Sequence, residues 1–256
     1  MRSLERTLQV LEVLAQAEHS LGLSDISRAT KLDGSTILRY LGELIKLSYA
    51  ASEGGGRRRY RIGPRLARLG GASRTAVLRQ VAQPHMQALG EACGEDVTLG
   101  ILDADSVLYL ESWRSTHVLR ANIDDGSRAP VHASSLGKAM LAFMPPAEAR
   151  ALVERAGLRP LTARTAKTLE EFEANLQVAR SRGYSTDGEE FAPGVVCIGA
   201  PIFGALGQVL AALSITAPKP RLTLPELEAK FGALLVETCR AVSADLGFAS
   251  SADKPA

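Results

Sequence analysis

The chain has 256 residues, 46% hydrophobic and 23% charged, with a formal net charge of +2. That is too apolar for a disordered chain, and three cysteines without a CxxC pair exclude a disulfide scaffold or a cysteine-rich zinc site. The charge is uneven: residues 1–70 hold 12 Lys/Arg against 7 Asp/Glu and the remainder 18 against 21, a basic end on a mildly acidic body.

In chain order, Ser3 caps a predicted first helix in which Leu4, Leu8, Leu11 and Leu14 recur at helical spacing. Met1–Arg6 has no apolar run, so a secretory signal is not expected and the cytoplasm is the expected compartment. After a break at His19–Gly22, Ser24 opens a short helix with Asp25 in its first turn and Ile26 and Ala29 inward. Lys31–Gly34 reads as a turn, with Gly34 free to take positive φ. Ser35 then caps a third helix with Ile37, Leu41, Leu44 and Ile45 on one face, which is helix-turn-helix spacing. The opposite face carries Ser35, Thr36, Arg39, Tyr40 and Glu43. Arg39 can pair with guanine or clamp a phosphate, and the hydroxyls of Ser24, Ser35 and Thr36 stand at helix starts that touch base edges and phosphates. Tyr40 either packs against neighbouring structure or lies on DNA.

Tyr49–Ser52 and Arg57–Ile62 read as two strands around a Glu53–Gly56 tip, a wing whose return strand carries Arg57, Arg58, Arg59 and Arg61. Residues 57–68 contain six arginines and no acid, suited to neutralising phosphates. These features place a winged helix-turn-helix in 1–65, a connection with a Gly70-Gly71 hinge in 66–78, a second domain in 79–250 and a disordered tail in 251–256.

In the second domain an amphipathic helix carries Val77, Val81, Leu89 and Cys93. Strands are predicted at Val97–Leu102, Val107–Ser112 and Val118–Ile123, and helices near 136–143, 146–156 and 169–182. Phe191–Pro218 has no charge and is long enough to span a bilayer, but Pro193, Pro201, four glycines and Gln208 read better as two buried strands turning at Phe203–Gly207. No membrane contact is expected. A closing helix runs from Pro225 to about Leu246. The class is α+β.

For a ligand, the start of a helix at Ser134–Gly137 offers unbonded N–H groups and a positive dipole end suited to a carboxylate. Ser214 and Thr216 share one strand face, as do Val195 and Cys197. Each has a plainer reading: Cys197 as a small core residue, the hydroxyls as ordinary strand residues, Asp187 as a loop residue bonding its own backbone, and Lys138 as an outward side chain at an interface. A catalytic set could be assembled from His132, Asp187 and Cys197 or Ser135, but no GxSxG, HExxH or P-loop accompanies it, and the histidines lack metal-ligand spacing.

Several blocks together resemble the IclR family of bacterial transcriptional regulators. They are Leu4–Thr7, Leu23–Thr30, Ser35–Arg39, Tyr60–Leu66, Pro130–Ala142, Arg180–Ser185, Glu189-Glu190, Gly194–Pro201 and Ala211–Thr216. The sequence departs from the family pattern at Ser48, where glycine is common, and at Tyr40, where leucine is common. The resemblance implies a winged helix-turn-helix, a connecting helix and a GAF-like domain binding a small effector, in dimers or tetramers on a double-stranded operator. It implies no cofactor, metal or catalysis. It also implies an effector pocket lined by Ser135, Leu136, Asp187, Val195, Cys197, Ser214 and Thr216, beside Ser134 and Gly137 at the helix start. Asp187 would repel an acid, so the acid end is expected at 134–137, with Asp187 accepting from a hydroxyl or amine. The alternative for this domain is a purely oligomerising or protein-binding role.

Overall fold

The computed structural model describes residues 2–17, 19–53, 58–66, 74–121 and 123–248. Compact packing divides the chain into two units, residues 1–74 and 75–256. Expectations for Arg57, the glycine tip, Gly70-Gly71 and the 251–256 tail lie outside the described residues.

In the first unit, helices α1 (Arg2–Gln16), α2 (Leu23–Thr30) and α3 (Gly34–Lys46) pack around Val10, Leu14, Ile26, Ile37, Leu41 and Leu44. Strands β1 (Leu21–Gly22), β2 (Ala50–Glu53) and β3 (Arg59–Ile62) form a sheet in the order β1-β3-β2. Three capping expectations are corrected. Helix α1 already begins at Arg2, and α2 begins at Leu23 with the Asp25 carboxylate bonding the Gly22 N–H at 3.1 Å. For α3 the cap is Asp33, not Ser35: its carboxylate accepts from the Thr36 N–H at 2.9 Å, because Asp33 stands directly before the first helical residue, Gly34, and so faces the N3 amide. Positive φ falls on Lys31 (56°), which ends α2, while Gly34 is helical.

Ser48 adopts φ 64° at the end of α3, and the Tyr49 N–H returns to the Leu44 carbonyl at 2.8 Å. The left-handed helix end is therefore kept without glycine. Gly63 then passes so close that a Cβ there would lie 2.3 Å from the Ser48 carbonyl oxygen, which fixes the base of the wing.

In the second unit, α4 (Arg74–Cys93) starts ahead of the expected boundary at residue 79. Strands β4 (Asp96–Asp103), β5 (Ser106–Trp113), β6 (Arg128–Pro130), β7 (Ser185–Gly188), β8 (Val195–Phe203) and β9 (Val209–Pro218) form one antiparallel sheet, ordered β6-β5-β4-β9-β8-β7. Helix α4 and α8 (Leu224–Asp245) cover one face, packing Met86, Leu89, Leu227 and Leu235 on Ile198, Ile202, Leu213 and Ile215. The other face receives α5 (Ser135–Ala142), α6 (Pro146–Ala156) and α7 (Leu169–Arg182) through Met140, Leu141, Val153 and Phe172. Cover on both faces explains the uncharged run through β8 and β9. Among the described residues no helix is long and apolar enough to cross a membrane.

Of the strand expected at Val118–Ile123, the described residues 118–121 and 123 form none. The outer edge of β5 is taken instead by β6, in the register Val107↔Ala129. The 114–121 segment is held as a loop by polar anchors: the Ser115 N–H donates to the buried Asp96 carboxylate at 2.7 Å, and Arg221 donates to the Leu119 carbonyl at 2.8 Å.

Replacing Ser48 by glycine removes a left-handed strain of about 1–2 kcal/mol and adds about 0.5–1 kcal/mol of unfolded-state entropy, so a net gain is expected. Urea denaturation of the full chain should show a higher midpoint for the transition of the first unit; an unchanged or lower midpoint contradicts the strain assigned to Ser48.

Candidate functional site

The exposed face of α3 presents Ser35, Leu38, Arg39, Gly42, Glu43 and Lys46. Tyr40 is not on it. It is 6% exposed within the helical core, because a position three residues after Ile37 and one before Leu41 falls on the inner face. Its hydroxyl accepts from Arg39 at 3.4 Å and its ring lies 5.2 Å beneath that guanidinium, so Tyr40 steers Arg39 rather than meeting a ligand itself.

Asp33 organises the start of α3. Ser35 Oγ donates to it at 2.6 Å and Thr36 Oγ1 at 2.7 Å, and these bonds hold its carboxyl well below the usual carboxylate range. Both hydroxyls thus point back to the cap. Ser24 is exposed at the start of α2.

On β3, Arg59 and Arg61 are exposed while Tyr60 faces inward. Arg59 donates from Nε to the Ser20 carbonyl at 3.0 Å, and Arg61 pairs with Glu53 at 2.9 Å. Arg58 and Arg39 are exposed and form no ion pair among the described residues. Of these four arginines, Arg39 and Arg58 have no ion pair among the described residues, Arg39 being held over Tyr40, while Arg59 and Arg61 are held along the strand.

The second site is a cavity of about 260 Å³ between the start of α5 and the β7–β8–β9 end of the sheet. Its walls include Ser134, Ser135, Leu136, Asp187, Val195, Cys197, Ser214 and Thr216, all of them expected from sequence. Register explains the convergence: Asp187 pairs with Cys197 and Cys197 with Thr216, a row across three strands, and Gly199 pairs with Ser214 in the next row. Gly137 is the exception. A Cβ there would lie 2.2 Å from the Val131 carbonyl oxygen, so this glycine serves the close approach of α5 to the preceding turn, and it does not line the cavity.

Ser134 Oγ caps α5 by accepting from the Gly137 N–H at 3.1 Å. Among the described residues the N–H groups of Ser135 and Leu136 have no protein acceptor, and they stand at the positive end of the helix, at the cavity wall. Asp187, 2% exposed, accepts at Oδ1 from the Glu190 and Phe191 N–H groups at 2.7 and 3.3 Å. Burial, partly offset by the Lys138 charge, raises its pKa to about 6. Both readings of Asp187 therefore hold: it bonds its own loop and it lines the cavity.

Thr216 Oγ1 donates to Cys197 Sγ at 3.3 Å, and burial pushes the Cys197 thiol far above the range of a usable nucleophile. His132 bonds the Arg159 carbonyl at 2.9 Å and does not line the cavity, so the catalytic set considered from sequence is not brought together. Lys138 does not extend outward. It is 3% exposed and pairs with Glu190 across the base of the loop that carries Phe191, because the first turn of α5 faces the sheet. Among the described residues no group of His, Cys, Asp and Glu could hold a metal.

The apolar wall was missed by sequence reasoning: Tyr109, Ala121, Ile123, Phe191 and Ala192, with Ser127 and Arg128 at the β6 side. They come from β5 and from two loops whose path no local periodicity encodes. Only the alternation along Val107–Leu110 could have pointed to Tyr109.

The family model described as Bacterial transcriptional regulator IclR C-terminal matches residues 72–244, and that described as IclR helix-turn-helix domain matches residues 3–54. The HTH-type transcriptional regulator BhcR of Paracoccus denitrificans is 33% identical, over 95% of this chain and 86% of its own. The HTH-type transcriptional repressor AllR of Klebsiella pneumoniae is also 33% identical, over 98% and 92%. Among solved structures, a transcriptional regulator from Rhodococcus sp. RHA1 superposes with TM-score 0.64 at 30% identity, over 96% of this chain and 98% of that one. The C-terminal domain of E. coli KdgR gives TM-score 0.60 at 31% identity, over 67% and 99%.

Because Asp187 ionises in the folded chain only near pH 6, against an ordinary 3.8, its charge destabilises the fold progressively between those values and fully above them. Asp187→Asn keeps the backbone acceptor and never ionises. It should match the parent near pH 4 and exceed it at pH 7.5 by at most about 3 kcal/mol, read as a higher Tm in calorimetry. Equal Tm values at both pH values contradict the desolvation described for Asp187.

Proposed function

The chain belongs to the IclR family of bacterial transcriptional regulators, and from that premise we propose that it couples operator binding to the occupancy of the α5 cavity by a carboxylic acid. The observation that carries this reading is the meeting of two unbonded helix N–H groups with one buried carboxylate, Asp187, in a single cavity. The N–H groups take the acid end. Asp187, which repels a second negative charge, takes a hydroxyl or amine at Oδ2.

On the DNA side, Arg39 reads a base edge or phosphate from α3, placed by Tyr40, while Arg58, Arg59 and Arg61 neutralise backbone along the wing. Arg57 joins this set from the sequence alone. The protein works in the cytoplasm as a dimer or tetramer on paired half-sites, with 1–65 and 79–250 as the functional domains and 66–78 as the connection. Regulation requires that the acid bind the DNA-competent and DNA-incompetent states with different affinity.

Arg39→Ala should weaken binding to the specific operator while leaving non-specific binding largely intact. Arg58→Ala should lower affinity for all sequences and reduce the salt slope by about one. Electrophoretic shifts over a salt series separate the two, and identical effects of both variants on both DNAs contradict the assignment. Calorimetric titration with a panel of hydroxy and oxo acids should show a change of selectivity in Asp187→Ala; unchanged selectivity counts against Asp187 as the donor-selecting group.

A further inference from the structure

The exposed face of α3 carries a feature that the protein's own packing does not require. With 3.6 residues per turn, Gly42 falls at the centre of that face, between Leu38 and Arg39 one turn before it and Lys46 one turn after. Glycine inside a helix is destabilising relative to alanine, because it loses more backbone freedom on folding. Gly63 in the same unit has a reason for its bareness, the closeness of the Ser48 carbonyl. Gly42 has none. Its backbone is ordinary right-handed helix, and a Cβ there would meet nothing within 4 Å. The space is kept for something that comes to this face from outside it.

Beside this notch stands Leu38, 45% exposed and outside the helical core. A single exposed leucine is ordinary, and it is the company of this one that gives it meaning. The hydroxyls of Ser35 and Thr36 are turned back to Asp33 at 2.6 and 2.7 Å, and the Arg39 guanidinium lies over the Tyr40 ring. The first two turns of α3 therefore offer an apolar side chain where their polar groups are already engaged. In the major groove the apolar group that tells one base pair from another is the C5 methyl of thymine. Four helical residues rise about 6 Å, close to two base steps of about 3.4 Å, so a base edge against Leu38 brings its neighbours over Gly42.

Resting on the reading of α3 as the helix that enters the major groove, we propose that Leu38 reads a thymine by packing on its C5 methyl. Gly42 is kept bare so that the helix lies close enough to the adjoining base edges for that contact. Arg39 supplies the polar contact, Leu38 the apolar one, and the notch sets the distance between helix and groove.

The test begins with selection of a preferred duplex from a randomised library by the full chain. Each thymine of that duplex is then replaced in turn by uracil, which removes the methyl and keeps every hydrogen-bonding group. At one position or more in the duplex, the parent should lose about fourfold in affinity, the value of one buried methyl group. Leu38→Ala should bind the thymine duplex about fourfold more weakly and be indifferent to uracil at those positions. Arg39→Ala should weaken binding and keep the uracil effect. Gly42→Ala should move stability and binding in opposite directions: a higher urea midpoint for the first unit, and at least tenfold weaker binding of the selected duplex.

A uracil effect that survives in Leu38→Ala, or none at any position in the parent, overturns the thymine assignment and leaves α3 as the reading helix. Gly42→Ala binding as tightly as the parent overturns the close approach, and an unchanged or lower midpoint overturns the claim that the fold does not need this glycine. If no sequence is enriched and Arg39→Ala binds every duplex as the parent does, the reading of α3 itself falls, and this inference with it.

Discussion

The cavity exists because α5 begins in direct contact with the sheet. Two glycines permit that contact from opposite sides: Gly199 on β8 beneath the Ser135 carbonyl, and Gly137 inside α5 against the Val131 carbonyl. Ser185 Oγ donates to the same Ser135 carbonyl, so the outgoing face of the peptide is satisfied while its N–H face stays open. A side chain at either glycine would lift the helix, and the N–H groups would no longer share a space with Asp187. Cap, dipole and carboxylate are one construction.

The same helix supplies Lys138, and its buried pair with Glu190 fixes the loop that closes the cavity. The loop is constrained at several points. Glu189 holds φ 66°, donor contacts from Thr162 and Thr165 meet the Glu190 carbonyl at 3.3 and 2.7 Å, and the Glu189 carboxylate accepts from the Gly194 N–H at 3.0 Å. Removing one partner of a buried ion pair leaves an uncompensated charge and costs about 3–5 kcal/mol, so Lys138 and Glu190 depend on each other. Asp187 bonds the loop at Oδ1 and faces the cavity, which makes it the shortest connection between an occupant and this network.

Much of this was legible in the sequence. The helix-turn-helix spacing and the hairpin through residues 203–209 follow from periodicity, because regular elements leave regular patterns, while the pocket residues of β7, β8 and β9 follow from the family resemblance. Capping was misread by one or two residues where serines and an aspartate compete for one position, as at Asp33 and Ser35. Tyr40 reads from sequence as opposite the core face, with packing against neighbouring structure as the alternative, and its helical phase puts it with Ile37 and Leu41. The Val118–Ile123 segment has strand-forming residues, but β6 takes the β5 edge, and which segment pairs there is a tertiary fact. Gly137 illustrates a further ambiguity: glycine at a close approach does not say what approaches, and here it is backbone.

Most polar groups of the cavity are already bonded within the protein. Ser134 bonds the Pro130 carbonyl at 2.9 Å, Thr216 bonds Cys197, and Asp187 Oδ1 bonds its loop. Among the described residues, two N–H groups, one carboxylate oxygen and the Tyr109 and Ser214 hydroxyls have no protein partner, and a hydrogen bond that involves a charged group is worth about 1.5–3 kcal/mol. The apolar wall adds about 25 cal/mol for each Å² it removes from water. The polar groups then decide orientation and exclude wrong charges, and the wall adds to the hold on a molecule of the right shape. On the proposed reading, two chains with the same anchors and different walls would hold different occupants, so the choice would lie in the loops around Ile123 and Phe191 more than in the strand residues that the sequence makes easiest to see.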